Sequence, residues 1–218
     1  MNKYYFPTLL ILVTLSCLHG FSQQTEEKNP VRRDLFLRLN FLGLVDPFDN
    51  NFSVGAEQLL SPRFSVALDA GWIFHSEYFR NAKSSNGILL RPAFRWYPRA
   101  EGRGFLETEL HYKMVSYRIE DWIGRDCDNE VPTFDEFATF SYRKYSYGFH
   151  LRGGVKGALD REKKFWLEFS GGLGIRWRDQ GLHNEPNSCY NRVGTFFNPN
   201  GRNVISVVPV TIRGLIRL

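Results

Sequence analysis

Four groups of side chains in this sequence could do chemistry. His75, Ser76 and Glu77 stand in a row, and a hydroxyl, an imidazole and a carboxylate are the parts of an acyl-transfer site. A nucleophile and its base must face each other across a hydrogen bond, and adjacency along the chain does not arrange that. The three open a polar stretch, 75–86, and are read as loop, so no catalytic residue is assigned. His111 and His150, with Glu107 and Glu109, could ligate a divalent metal. Their spacing matches no ligand motif, and salt-bridge and hydrogen-bond partnership is the expected role. No metal and no cofactor is assigned. Gly171-Gly172-Leu173-Gly174 has the glycines of a phosphate loop without the Gly-Lys-Ser/Thr that must follow. It reads as strand glycine making room in a crowded interior. Cys127 and Cys189 could form a disulfide, if the fold brings their loops together.

The elements that must position these residues are strands. Eight runs alternate apolar and polar residues with period two: 34–44, 52–60, 64–74, 87–97, 104–119, 140–157, 164–177 and 205–218. The polar face carries Arg38 in the first run, Glu57 in the second, Asp69 in the third, and Arg91 and Arg95 in the fourth. It continues with Glu107, Glu109 and His111, then His150, Arg152 and Lys156, then Glu168 and Arg176, and finally Arg213 and Arg217. Glycines lie between them. The opposite face is aliphatic and aromatic. Pro92 removes a ladder donor from the fourth run, which predicts a bulge or local distortion there. The last run is too apolar to be left as a free edge, so it is expected to pair with the first and close the sheet into a barrel.

Connections at 61–63, 98–103 and 158–163 are short, those at 75–86, 120–137 and 178–204 are long, and 45–51 is intermediate. An up-and-down meander places alternate connections at opposite ends, so short turns gather at one end and long loops at the other, as in transmembrane barrels. The polar face argues the same way. A soluble barrel turns its apolar face inward, whereas here charges of both signs would face a narrow interior. They must pair there, because a lone buried charge is costly. Trp72, Phe74, Tyr112, Tyr145, Tyr147 and Trp177 fall toward the long-loop end of the apolar face, and Trp96 and Phe165 toward the short-turn end, as two interfacial girdles would. Cys127 and Cys189 lie in long loops at the same end and are expected to bond.

The chain has 218 residues and a formal net charge of +5. Its arginines are spread along strands in no basic patch, so nucleic acid is not an expected partner. Residues 1–22 read as a signal peptide, with Lys3, an apolar run over 4–21 and small residues near its end. Cys17, after Thr14-Leu15-Ser16, raises the alternative of a lipid anchor. Residues 23–33 are a short polar segment on the periplasmic side, and 34–218 form the barrel. Export places Cys127 and Cys189 where disulfides persist.

Together these features resemble the small eight-stranded outer-membrane barrels of Gram-negative bacteria, the class of the OmpA transmembrane domain and OmpX, over residues 34–218. Thr211-Ile212-Arg213-Gly214-Leu215-Ile216-Arg217-Leu218 is similar to the closing strand that such proteins present to the insertion machinery. It ends in Leu218 where an aromatic is usual, and its glycine stands one place off the commonest spacing. The resemblance implies location in the outer membrane, contact with its lipid and lipopolysaccharide, and the barrel-insertion machinery as assembly partner. An eight-stranded ring has an interior that side chains fill. The expected function is therefore a structural or surface-interaction role through the long loops, with no wide pore and no enzymatic activity. The alternatives are a lipid-modifying barrel enzyme, which needs a Ser–His pair near the outer interface, and a soluble secreted barrel for a small ligand, which needs the apolar face inside. The extracellular partner is left open.

Overall fold

Alternation gives strands, and pairing them in chain order curls the sheet until its ends meet. The computed structural model describes residues 34–45, 49–79, 81–99, 103–129, 131–190 and 203–218; the expected signal peptide, Cys17 and the 23–33 segment lie outside them. The strands are β1 (Leu35–Asn40), β2 (Asp49–Ser61), β3 (Phe64–Ser76), β4 (Ala82–Trp96), β5 (Gly104–Arg125), β6 (Phe134–Ala158), β7 (Phe165–His183), β8 (Ser188–Cys189), β9 (Asn203–Val207) and β10 (Val210–Arg217). Neighbours from β1 to β7 pair antiparallel in order, and β10 pairs with both β7 and β1, closing a ring of eight. Ile216 pairs with Leu37, and the Leu218 amide donates to the Leu35 carbonyl at 2.9 Å. β8 lies along the end of β5, and β9 extends the pairing on β7.

The two faces separate as the alternation dictates. Arg95, Glu107, Arg152 and Arg213 point into the ring and are at most 1% exposed, while Leu68, Leu110 and Phe149 point outward at 52%, 48% and 44%. Over 106–114 of β5 the ring is polar inside and apolar outside. Past Met114 the rule inverts. Val115, Tyr117 and Ile119 are buried inside, and Ser116, Arg118 and Glu120 point out. β6 inverts at the same level, because Tyr117 pairs with Tyr142 and Arg118 with Ser141. Tyr112, Tyr147 and Trp177 are register partners just short of this boundary, the last two stacked at 6.1 Å. Beyond it Ile73, Phe79, Val115, Tyr117, Ile119, Ile123, Phe140, Tyr142 and Tyr190 pack as an apolar core inside the extended strands.

The structure corrects the sequence reading in three places. β1 stops at Asn40, not at residue 44, and Leu42–Val45 form a 3-10 turn whose Gly43 sits against Asn51, where a Cβ would collide with the Asn51 backbone and side chain. The last run is two strands: Pro209 has no amide hydrogen for a ladder, and the strand is interrupted at 208–209, between β9 and β10. Pro92 gives the local distortion expected of it, without a bulge. The β4–β5 ladder lapses at Arg91 and Pro92 and resumes in the same register, Leu90 with Tyr112 and Ala93 with Glu109; the register shift falls instead between Ala82 and Ser84. The long connections are partly strand, since β4 begins at Ala82, β5 runs to Arg125, β6 begins at Phe134 and β7 runs to His183. The alternation continues there with its faces exchanged, which a reading keyed to one apolar face misses.

Short turns are held by side chains acting on backbone. Ser61 Oγ accepts from the Arg63 and Phe64 amides at 3.3 and 3.1 Å. The Asp160 carboxylate accepts from the Phe165 and Lys164 amides at 2.8 and 3.0 Å, and these donors hold its carboxyl below the usual carboxylate range.

Candidate functional site

Inward rows of the ring strands meet in a charge network centred on Arg95. Its guanidinium donates to Glu57 Oε2 at 2.7 Å, to Glu168 Oε2 and Oε1 at 2.6 and 2.8 Å, and to Glu107. Arg213 donates to Glu168 Oε1 at 2.8 Å and lies 3.3 Å from Asp69. Arg152 bridges Glu107 and Glu109. Arg38 stands 3.3 Å from Asp69 and 3.6 Å from Glu107, and Arg91 donates to Ser53 Oγ at 3.0 Å. Lys156 donates to the Tyr97 hydroxyl at 3.0 Å, which in turn donates to Glu57 at 2.5 Å. Five carboxylates (Glu57, Asp69, Glu107, Glu109, Glu168) thus face five guanidiniums (Arg38, Arg91, Arg95, Arg152, Arg213), all of them buried. Interleaved charges of opposite sign make such burial tolerable; any one left alone would not be.

Toward the long-loop end the balance shifts. Among the described residues, a cavity of about 520 Å³ is lined by Arg91, Lys113, Arg152, Arg176 and Arg178 with one carboxylate, Glu109, and by both candidate histidines. His150 Nδ1 lies 2.9 Å from Glu109 Oε1, and Arg176 Nε donates to His150 Nε2 at 3.0 Å. An accepting Nε2 requires a neutral ring with its hydrogen on Nδ1, donating to Glu109. His111 lies beside it, ring centroids 5.1 Å apart, 6% exposed, and neither of its nitrogens has a hydrogen-bond partner. Glu109, His111 and His150 hold their ligand atoms within 4.8 Å of one another, and Glu107 stands apart from them on Arg95 and Arg152. The group suits a cation poorly. Arg176 takes the free nitrogen of His150, Arg152 takes the second oxygen of Glu109, and guanidiniums surround both.

The other sequence candidates separate. Ser76 turns into the ring, where its hydroxyl donates to Asp49 Oδ1 at 2.5 Å and lies 3.0 Å from the Tyr117 hydroxyl, whereas His75 points out beside Glu77. No Ser–His pair forms between them. Gly172 and Gly174 face the interior, where a Cβ would meet the Leu151 carbonyl and the His150 ring respectively. Asp49, read as part of a turn, begins β2 and gathers Lys113 and Lys144 above the cavity. The spacing of Lys144 from His150 and Arg152 along one face was the available signal.

Cys127 and Cys189 are bonded, with Cα atoms 6.0 Å apart, tying β8 to the chain just past β5. Arg125 reinforces the join through Glu185 and Glu136, both at 2.7 Å. Trp122, Phe134 and Phe137 are exposed on this hairpin, the first and last packed edge to face at 5.6 Å. Denatured protein is expected to bind no thiol-reactive mass tag at Cys127 or Cys189 before reduction and to bind it at both afterwards; two tags without reductant would exclude the bond. No protein-family model and no curated protein matches this chain.

Proposed function

We propose that this chain is an integral outer-membrane β-barrel, similar in class to the OmpA transmembrane domain and OmpX, with a structural or surface-interaction role and no wide pore. The observation that carries this reading is the inversion of face polarity at Met114 and across β6. One solvent cannot favour apolar side chains outside one half of a ring and polar ones outside the other. Two solvents can: hydrocarbon beside 106–114 and water beyond. That stretch is nine residues, within the roughly 9–11 a tilted transmembrane strand needs. The aromatic row of Tyr112, Tyr147 and Trp177 stands where the interface would lie.

The paired charges block the middle of the ring, so bulk diffusion is not its use. What the protein offers outside the membrane is the β5–β6 hairpin, pinned to β8 by the disulfide and carrying exposed Trp122, Phe134 and Phe137. The packed pair Trp122 and Phe137 on one face, with Phe134 on the other, offers exposed aromatic surface for interaction. The signal peptide, the insertion machinery and contact with lipopolysaccharide belong to this reading.

The test is membrane fractionation with a gel run cold and boiled. The protein is expected in the outer-membrane fraction, migrating anomalously until heated; recovery in the soluble periplasm would end the reading. Depth gives a second check. Leu110→Arg, mid-band on β5, is expected to cost about 2–4 kcal/mol, and Phe165→Arg, at the short-turn border, about 1 kcal/mol or less. Equal costs in a lipid-vesicle unfolding titration would contradict a bilayer around the ring.

A further inference from the structure

Among the described residues, the wall of the ring is notched where β1 meets β10. β1 and β10 stay paired as far as Asn40 with Arg213, and the Phe41 amide donates to the Ile212 carbonyl at 3.0 Å. Past that level each leaves the seam. β1 passes into the Leu42–Val45 turn against Asn51 of β2, and the strand before β10 is interrupted at 208–209, beyond which β9 follows β7. The register on β7 sets the height of the notch. The Gly172 amide donates to the Pro209 carbonyl at 3.1 Å and Gly174 pairs with Val207, both short of Trp177. The notch therefore opens within the apolar band, on its long-loop half. Its lips, Leu44, Val45, Val208 and Val210, are exposed and aliphatic. Residues 42–45 and 207–211 contribute Leu42, Val45, Val207 and Val208 to the lining of the basic cavity.

We propose that this notch admits an acyl-chain amphiphile from the membrane, whose anionic head, a phosphate or carboxylate, seats against Arg91, Arg176 and Arg178 while its chain lies between the lips. The inference rests on the membrane-barrel reading above. Among the described lining groups five cations face one carboxylate. Arg152 and Lys113 hold Glu107, Glu109 and Asp49, Arg176 holds His150, and Arg91 holds Ser53. Arg91 Nε and both nitrogens of His111 are buried without a partner and border the same space. Charge-assisted hydrogen bonds to an anion would satisfy such donors, and guanidinium is the group best shaped to give them. A mouth in hydrocarbon with cations behind it selects a molecule that is apolar at one end and anionic at the other.

The experiment uses protein purified from membranes in dodecyl maltoside and confirmed as heat-modifiable. Native mass spectrometry follows binding of dodecyl phosphate, dodecanol, inorganic phosphate and zinc ion separately. One dodecyl phosphate is expected to bind at least tenfold more tightly than dodecanol or inorganic phosphate. Arg176→Gln with Arg178→Gln is expected to weaken dodecyl phosphate at least tenfold and to leave dodecanol unchanged. Val208→Trp, at an exposed lip, is expected to weaken dodecyl phosphate and not inorganic phosphate, and it carries the test if the arginine variant does not fold. Equal binding of dodecanol would overturn the headgroup site. Inorganic phosphate bound as tightly would make it a site for aqueous anions. Zinc held by Glu109, His111 and His150 without dodecyl phosphate binding would make it a metal site. Each of those outcomes in heat-modifiable protein overturns this inference alone, whereas protein that is soluble without detergent overturns the barrel reading beneath it.

Discussion

Removing residues 214–218 is expected to abolish the heat-modifiable form that the membrane-barrel proposal assigns to this protein. These residues pair on both sides at once: Gly214, Leu215 and Ile216 with Leu167, Trp166 and Phe165 of β7, and with Leu39, Arg38 and Leu37 of β1. The truncation also deletes Leu215, 1% exposed inside the ring, and the Arg217–Asp34 ion pair at 2.6 Å. Two strand edges are then left with open amides and carbonyls. In hydrocarbon each unsatisfied backbone group costs several kcal/mol, and a handful exceeds the roughly 5–15 kcal/mol of a folded domain's stability. Cold and boiled samples of the truncated chain should co-migrate. An unchanged cold shift would mean that the seam is closed by something other than β10.

Arg95→Leu is expected to cost about 3–5 kcal/mol, because it leaves Glu57, Glu107 and Glu168 buried without the guanidinium they share. Arg95→Lys keeps the charge but not the fork of donors that reaches three carboxylates, so it should fall between the variant and the native protein. Arg125→Leu is the comparison at the rim. Its partners Glu136 and Glu185 are partly solvated, and the loss should stay near 1 kcal/mol or below. Urea unfolding of the three variants in lipid vesicles, followed by tryptophan fluorescence, separates them. A loss at Arg95 no larger than at Arg125 would mean that the network is wet and screened.

Much of this architecture is legible in the residues. Backbone alternation sends Arg38, Arg95 and Glu107 to one face and Leu37, Phe94 and Leu110 to the other, a property each run carries within itself. The apolar run ending at Leu218 demanded a partner, and the first run was the one left to supply it. The cysteine pair followed from which loops share an end. Sequence was less informative where a second rule overlay the first. The alternation on β5 continues through Tyr117 and Ile119 with its faces exchanged, so strand reads as loop to an eye following one apolar face.

Side-chain direction is set residue by residue, so the sequence alone separates inside from outside. Height is not set that way. Arg95 meets Glu168, 73 residues away, because the three successive ladders β4–β5, β5–β6 and β6–β7 fix the level of β4 against β7. That offset is a sum of pairings around the ring that no single run contains. Single ladders place His111 beside His150 and Pro209 level with Gly172, and only ring closure leaves the notch between β1 and β10 opposite the arginines. The charges inside were written in the sequence, and only the closed sheet decided which of them meet and which face a cavity.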